Sequence, residues 1–249
     1  YHNHNHKNGL TNNQLLANSQ SYKTEIDILR KVQHRNIIKM ISYDIDMICL
    51  EYAQDGELFD KIMTNITNDT IHNTDWICKS NKWMKQLADA VEYLHGLFIC
   101  HRDIKPENIL INAEGDLKLS DFGLSKQLGT LEETMTERCG TAYYMAPEVL
   151  DKKYTILVDI WSLGIMLFLM RTGLILINGE SDSDVIKNIR KYKNTYDKEN
   201  PVDIWVTSVS VTVEYLKISE DERKLLNKTI CCEENRISIE DFKKSLNVY

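Results

Sequence analysis

Positive charge is in short supply in this sequence. Its 249 residues carry 30 Lys and Arg against 37 Asp and Glu, a formal net charge of −7. That balance argues against nucleic acid or an anionic membrane as the main partner, because both are bound through basic surface. Long apolar runs are also lacking. The longest uncharged apolar run, 160–170, is bracketed by Asp159 and Arg171. It is too short to span a hydrocarbon core of ~30 Å, and a segment apolar on nearly every side reads instead as a buried core helix. No secretory leader is visible. The six cysteines (49, 78, 100, 139, 231 and 232) form no C-x-x-C, which points to reduced thiols in a cytoplasmic protein. In that setting the N-x-[ST] triplets at Asn65, Asn68 and Asn227 carry no meaning. The calcium-loop pattern D-x-[DN]-x-[DN]-G is absent.

What is present is concentrated in the middle. His101-Arg102-Asp103-Ile104-Lys105-Pro106-Glu107-Asn108 puts a carboxylate, an ammonium and an amide into one short loop. Phosphoryl transfer from a nucleotide with a divalent metal needs those groups. A carboxylate can accept a hydroxyl proton, a lysine can meet the moving phosphate, and an amide oxygen can hold a metal ion. Three more motifs follow in order: Asp121-Phe122-Gly123, eighteen residues after Asp103, then Ala146-Pro147-Glu148, then Asp159-Ile160-Trp161-Ser162-Leu163-Gly164.

In this order, the four motifs resemble those of the eukaryotic Ser/Thr protein kinases. Segments 51–60 and 140–150 look most like the calcium- and calmodulin-dependent group. The likeness runs from about Thr24 to about Leu174 and then thins. It implies an α+β, two-lobed protein-kinase-like fold with an incomplete small N-lobe and a mainly α-helical C-lobe. The organisation expected is a low-complexity Asn/His-rich segment over 1–23, a partial N-lobe over 24–53 and a C-lobe over 54–249. The alternating His2, His4 and His6 read as a solvated tract, with metal binding as the other reading.

The resemblance also implies roles. Asp103 would be the base, Lys105 the phosphate lysine, and Asn108 and Asp121 the Mg²⁺ ligands. Thr141 and Lys105 mark a Ser/Thr acceptor. Leu50 would wall the adenine pocket, Glu51 and Ala53 would belong to the hinge that meets the adenine edge, and Leu110 would floor the pocket. Glu57 would meet the ribose or a substrate arginine, and with Glu107 it would favour basic substrates; solvated surface glutamates are the plainer reading. Glu25 matches the helix glutamate that pairs with a strand lysine, or is a partly exposed surface residue. Glu148 would pair with Arg236. The cofactors implied are ATP and Mg²⁺, and the partners protein substrates with Ser or Thr acceptors near basic residues. Arg102 beside Asp103 suggests control by an anion on the activation segment, from phosphorylated Thr134 or Thr136, or from Glu132, Glu133 or Glu137.

Periodicity adds the elements. Glu25, Ile28, Leu29 and Val32 share a helix face, and Trp83, Leu87, Val91, Leu94 and Phe98 form a second stripe. Strands are expected over 37–44 and 47–52, and a hairpin over 109–119. Residues 64–75 read as a loop. Helix 184–192 should be capped by Ser183 or Asp182, and 205–213 alternates like a strand.

Two family features have no match upstream of Glu25: a G-x-G-x-x-G loop and a strand lysine. Lys23 lies on the same helix as Glu25, and Lys7 has no strand context. The chain therefore reads as lacking about 60–80 residues of a finished domain. Two functions compete: an active Ser/Thr kinase, or a degenerate pseudokinase acting as a binding scaffold.

Overall fold

The computed structural model describes residues 12–45, 47–196, 198–209 and 217–246. Helix α1 covers Asn12–Leu29, so it starts well ahead of the apolar periodicity and runs through the expected boundary at 23/24. Leu, Gln and Ala in its first half are good helix formers, and propensity extends a helix that periodicity does not mark. Ile26, Ile28 and Leu29 are buried. Val32 lies beyond the helix end and is only half-buried.

Strands β1 (Met40–Tyr43) and β2 (Ile48–Leu50) pair antiparallel, with a register shift between Met40 and Ser42. Both are shorter than expected, and β1 starts late because Ile37 is taken up elsewhere. It forms a parallel bridge with Leu119, and the Ile38 N–H donates to the Leu119 carbonyl at 2.9 Å. This seam ties the small lobe to the hairpin of the large one.

The large lobe begins with α2 (Leu58–Thr67) and α3 (Thr74–Gly96). Segment 64–75 is thus a helix end, a short turn and a helix start rather than one loop. The Asn68 N–H closes on the Thr64 carbonyl at 3.0 Å, and Asn73 stands at the N-cap of α3. Polar composition alone does not separate a solvated helix face from a loop. On α3, Trp83, Leu87, Val91 and Leu94 are buried as expected. Phe98 departs from the stripe: it lies past the helix end at φ +57° and is 41% exposed.

Strand β3 (Ile99–Cys100) leads into the loop 101–108, and β4 (Ile109–Ile111) and β5 (Leu117–Leu119) make the expected hairpin. β6 (Lys126–Gln127) pairs with β3. Helix α4 (Val158–Thr172) is buried from Val158 through Arg171, the core helix foreseen from its uncharged run. Each of its large side chains contributes about 1.5–3 kcal/mol by burial. Trp161, Tyr192 and Trp205 meet edge to face in sequence, with ring centroids 5.6 and 5.4 Å apart.

Helix α5 (Asp182–Lys193) is capped by Ser181, one residue before the expected caps; its hydroxyl accepts from the Asp184 N–H. The strand expected over 205–213 is instead helix α6 (Pro201–Ser208) up to Ser208; residues 210–213 lie outside the described residues. Pro201 opens the helix, and Val202, Trp205 and Val206 form its buried stripe, a 3.6-residue period hidden by the alternation of Val with Thr and Ser. Helices α7 (Glu220–Thr229) and α8 (Ile239–Leu246) complete the lobe.

Candidate active site

The loop after β3 is shaped from below by α4. Asp159 is almost fully buried at the start of that helix. Its Oδ2 accepts from the His101 N–H at 2.9 Å, and its Oδ1 accepts from the Arg102 N–H at 2.9 Å. His95 on α3 sits 3.0 Å from Oδ2. Burial pushes the Asp159 carboxyl up, but the His95 contact and the charges around it win and hold it below the usual range. Those bonds fix Arg102 at φ +67°, left-handed backbone that a non-glycine residue holds only when its surroundings impose it. The loop then turns Asp103 inward.

Asp103 is the centre of the site. Its Oδ2 lies 2.8 Å from Lys105 Nζ and accepts from Asn108 Nδ2 at 2.9 Å. Its Oδ1 accepts from the Thr141 hydroxyl at 2.8 Å and from the Thr141 N–H at 2.9 Å. Lys105 Nζ also donates to the Thr141 hydroxyl at 2.8 Å. Burial raises the Asp103 carboxyl, yet the bonds from Lys105 and Thr141 outweigh it, so the group stays ionised. Gly140 allows the close approach. Its φ is +98°, and a Cβ there would meet the Arg102 carbonyl oxygen at 2.7 Å.

The hairpin brings Asn108 and Asp121 to one end. Ile109 faces Leu119 in register, and beyond that pair the Ser120 N–H and hydroxyl both donate to the Asn108 carbonyl, at 2.8 and 2.9 Å. Asp121 follows at once. It is exposed, stands at φ +61°, and accepts from the Gly123 N–H at 3.2 Å. Phe122 is buried edge to face on His101, 5.0 Å between centroids, which turns Asp121 outward. Because Asn108 Nδ2 serves Asp103, its amide oxygen is the atom left for a cation. An amide oxygen and an exposed carboxylate suit a hard divalent ion that also binds phosphate. Among the described residues no group of three His, Cys, Asp or Glu forms a cage of its own.

Glu25 is half-buried on α1. Burial and the neighbouring Asp121 raise its carboxyl, opposed by a bond from the Phe122 N–H. It forms no ion pair with Lys or Arg among the described residues. Helix α1 also reaches this corner through the Ser21 hydroxyl, which donates to the Gly123 carbonyl at 3.1 Å. Segment 51–57 runs along β4: the Asp55 N–H donates to the Ile111 carbonyl at 3.0 Å, the Ile111 N–H donates to the Gly56 carbonyl at 2.8 Å, and Glu57 bridges Leu110. Glu57 thus stands against Leu110, with Leu50 and Ala53 ahead of it along the chain, all four partly exposed. Glu51 turns elsewhere. Its Oε1 accepts from the Lys39 N–H and from Lys118 Nζ, both at 2.9 Å. Glu107 is exposed on the turn 106–108.

The loop thus gathers an ionised carboxylate, an ammonium, a hydroxyl and an amide within hydrogen-bond distance of one another. A family description, protein kinase domain, matches residues 6–246. The chain belongs to the protein kinase family. Calcium-dependent protein kinase 3 of Plasmodium yoelii yoelii is 33% identical over 188 residues, 73% of this chain and 34% of that protein. A probable serine/threonine-protein kinase, MARK-C of Dictyostelium discoideum, is 36% identical over 66% of this chain and 21% of its own length. A putative ribosomal protein S6 kinase alpha-1 of Caenorhabditis elegans is 35% identical over 72% and 22%. The chain spans about a fifth to a third of the length of these relatives. No described helix is long and apolar enough to cross a membrane.

Several residues of this kinase site were not singled out as site residues from sequence. Asp159 and His95 set the loop backbone. Lys126 holds Glu137 at 2.9 Å, with Arg102 at 3.3 Å on the other side and the Tyr154 hydroxyl donating to the Glu137 carbonyl at 2.5 Å. Bonds from Lys126, with Arg102 nearby, keep the Glu137 carboxyl down at about 2. The sequence offered Glu132, Glu133 and Glu137 alike as anions for Arg102, and only the fold selects Glu137.

Proposed function

We propose that this domain transfers the terminal phosphoryl of ATP to Ser or Thr hydroxyls of protein substrates. The observation that carries the reading is the closed network of Asp103, Lys105, Asn108 and Thr141. Asp103, ionised and held on both oxygens, orients the acceptor hydroxyl and takes its proton. Lys105 offsets charge on the phosphate in transit. The Asn108 amide oxygen and Asp121 hold Mg²⁺, which supplies charge neutralisation at the phosphates. Ala53 meets the adenine edge against Leu50 and Leu110. Glu57 and Glu107 favour basic residues in the substrate.

Glu137 takes the place of an activating phosphate. It already satisfies Arg102 and Lys126, so phosphorylation of Thr134 or Thr136 is not needed to order the segment.

The test is phosphotransfer from labelled ATP with Mg²⁺ to a Ser peptide bearing Arg near the acceptor. Asp103→Asn is expected to lower turnover by ~10²–10⁴. If the wild type turns over no faster than Asp103→Asn, the reading fails. The pseudokinase reading then stands, favoured by one observation: Glu25 faces Asp121 with no cation beside it among the described residues.

A further inference from the structure

A groove of about 680 Å³ opens behind the small lobe, lined by 29–35, 37–40, Glu51 and Lys118. It shares none of Asp103, Lys105, Asn108, Asp121 or Thr141. Its size falls within the range of about 300–1,000 Å³ usual for ligand clefts. Five of its side chains are cationic: Arg30, Lys31, Arg35, Lys39 and Lys118. The one carboxylate among the lining residues, Glu51, is neutralised by Lys118 at 2.9 Å. Arg30, Lys31, Arg35 and Lys39 form no ion pair among the described residues. Lys31 reaches only the Gln127 amide at 3.4 Å, and Arg30 lies over the Tyr43 ring. Four cations without an ion pair among the described residues, round one concavity, are notable in a chain of net charge −7. Mutual repulsion among them makes the empty groove electrostatically unfavourable and an anionic occupant favourable.

The lining narrows the class of anion. Half-buried Val32 and Met40 give the groove an apolar floor over buried Ile37 and Ile38. The rings nearby are already engaged: Tyr43 by Arg30, and His34 by Tyr93, stacked at 5.1 Å. Bases bind through stacking on free aromatic faces, which this groove does not offer. We infer that the groove docks an acidic peptide segment with an apolar anchor, carried by a protein partner and bound away from the catalytic loop.

The experiment is fluorescence anisotropy of the chain with a short labelled peptide of Asp, Glu and Leu. A single-stranded RNA of equal charge is the competitor. Saturable peptide binding that weakens with salt is expected. Arg35→Glu and Lys39→Glu should each weaken it by roughly tenfold, with Lys153→Glu, on exposed surface elsewhere, unchanged. Thermal unfolding checks that each variant is folded, and Arg35→Gln and Lys39→Gln, expected to lose less, replace any that is not. The inference is overturned by no binding to the wild type, by equal loss in Lys153→Glu, or by tighter RNA binding that the same variants abolish. None of these readouts depends on phosphotransfer.

Discussion

At the scale of single residues, charge pairing decides what the catalytic segment can do. Glu137 is the clearest case. Its carboxyl sits at about 2 against the ordinary 4.5. A depressed carboxyl contributes stability above its unfolded value, and that contribution fades as pH falls towards the folded value. The Glu137→Gln variant should therefore unfold at a lower temperature than the wild type by a constant margin from pH 7 to about 5. The margin should shrink below pH 4.5. Since the side chain is 53% exposed, the margin will be modest. A margin that grows on acidification would refute the assignment. Thr141 gives a second prediction. Thr141→Ala keeps the backbone bond to Asp103 but removes the hydroxyl that Lys105 and Asp103 share. Phosphotransfer should fall while the unfolding temperature changes little; unchanged turnover would remove Thr141 from the site.

Much at this scale was legible beforehand. Asp103, Lys105, Asn108 and Thr141 come together because two are within five residues of Asp103 and the fourth opens a motif of its own. Glu51 was not legible: whether a glutamate faces the cleft or Lys118 depends on how the β1–β2 hairpin sits beside β5, not on its neighbours in sequence.

At the scale of elements, caps and close approaches fix boundaries. Ser181 caps α5 through the Asp184 N–H, and Ser181→Ala should cost about 1 kcal/mol in urea unfolding. No change would show that Asp182 or Ser183 serves instead. Gly164 on α4 faces α7, where an added Cβ would meet Ile230 and Thr229, each at 2.7 Å. Gly164→Ala should destabilise by about 1–3 kcal/mol through overpacking, with phosphotransfer and stability falling together because α4 also carries Asp159. Helices α3 and α4 were readable from periodicity and composition. Helix α6 was not, since Val, Thr and Ser in alternation satisfy a strand pattern locally, and only the contact of Trp205 with Tyr192 and the Leu176 carbonyl selects the helix.

At the scale of the whole molecule, one long-range pair locks the large lobe. Arg236, fully buried, pairs with Glu148 across 88 residues and lies over the Trp161 ring. Burial works against the guanidinium, and Glu148 outweighs it. Removing one partner strands a buried charge, so Arg236→Ala or Glu148→Ala should cost about 3–5 kcal/mol in denaturant unfolding. A loss below about 1 kcal/mol would show that the pair is not held dry. Among the described residues the small lobe has no comparable lock. Its hairpin leaves Ile41, Ile45, Met47 and Tyr52 more than half exposed, and a two-stranded hairpin is marginal alone.

Local order along the chain was enough to determine the kinase family, the core helix and the residues of the catalytic loop. These depend on residue type at short spacing, and short spacing survives in any fold that the chain adopts. Tertiary structure alone decided the partners of those residues: Glu137 with Arg102 and Lys126, Asp159 beneath the loop, Glu51 with Lys118, and the cationic groove of Arg30, Lys31, Arg35 and Lys39. Each joins groups from separate elements, and the distance between elements is set by how their apolar faces pack, which no short stretch of sequence contains.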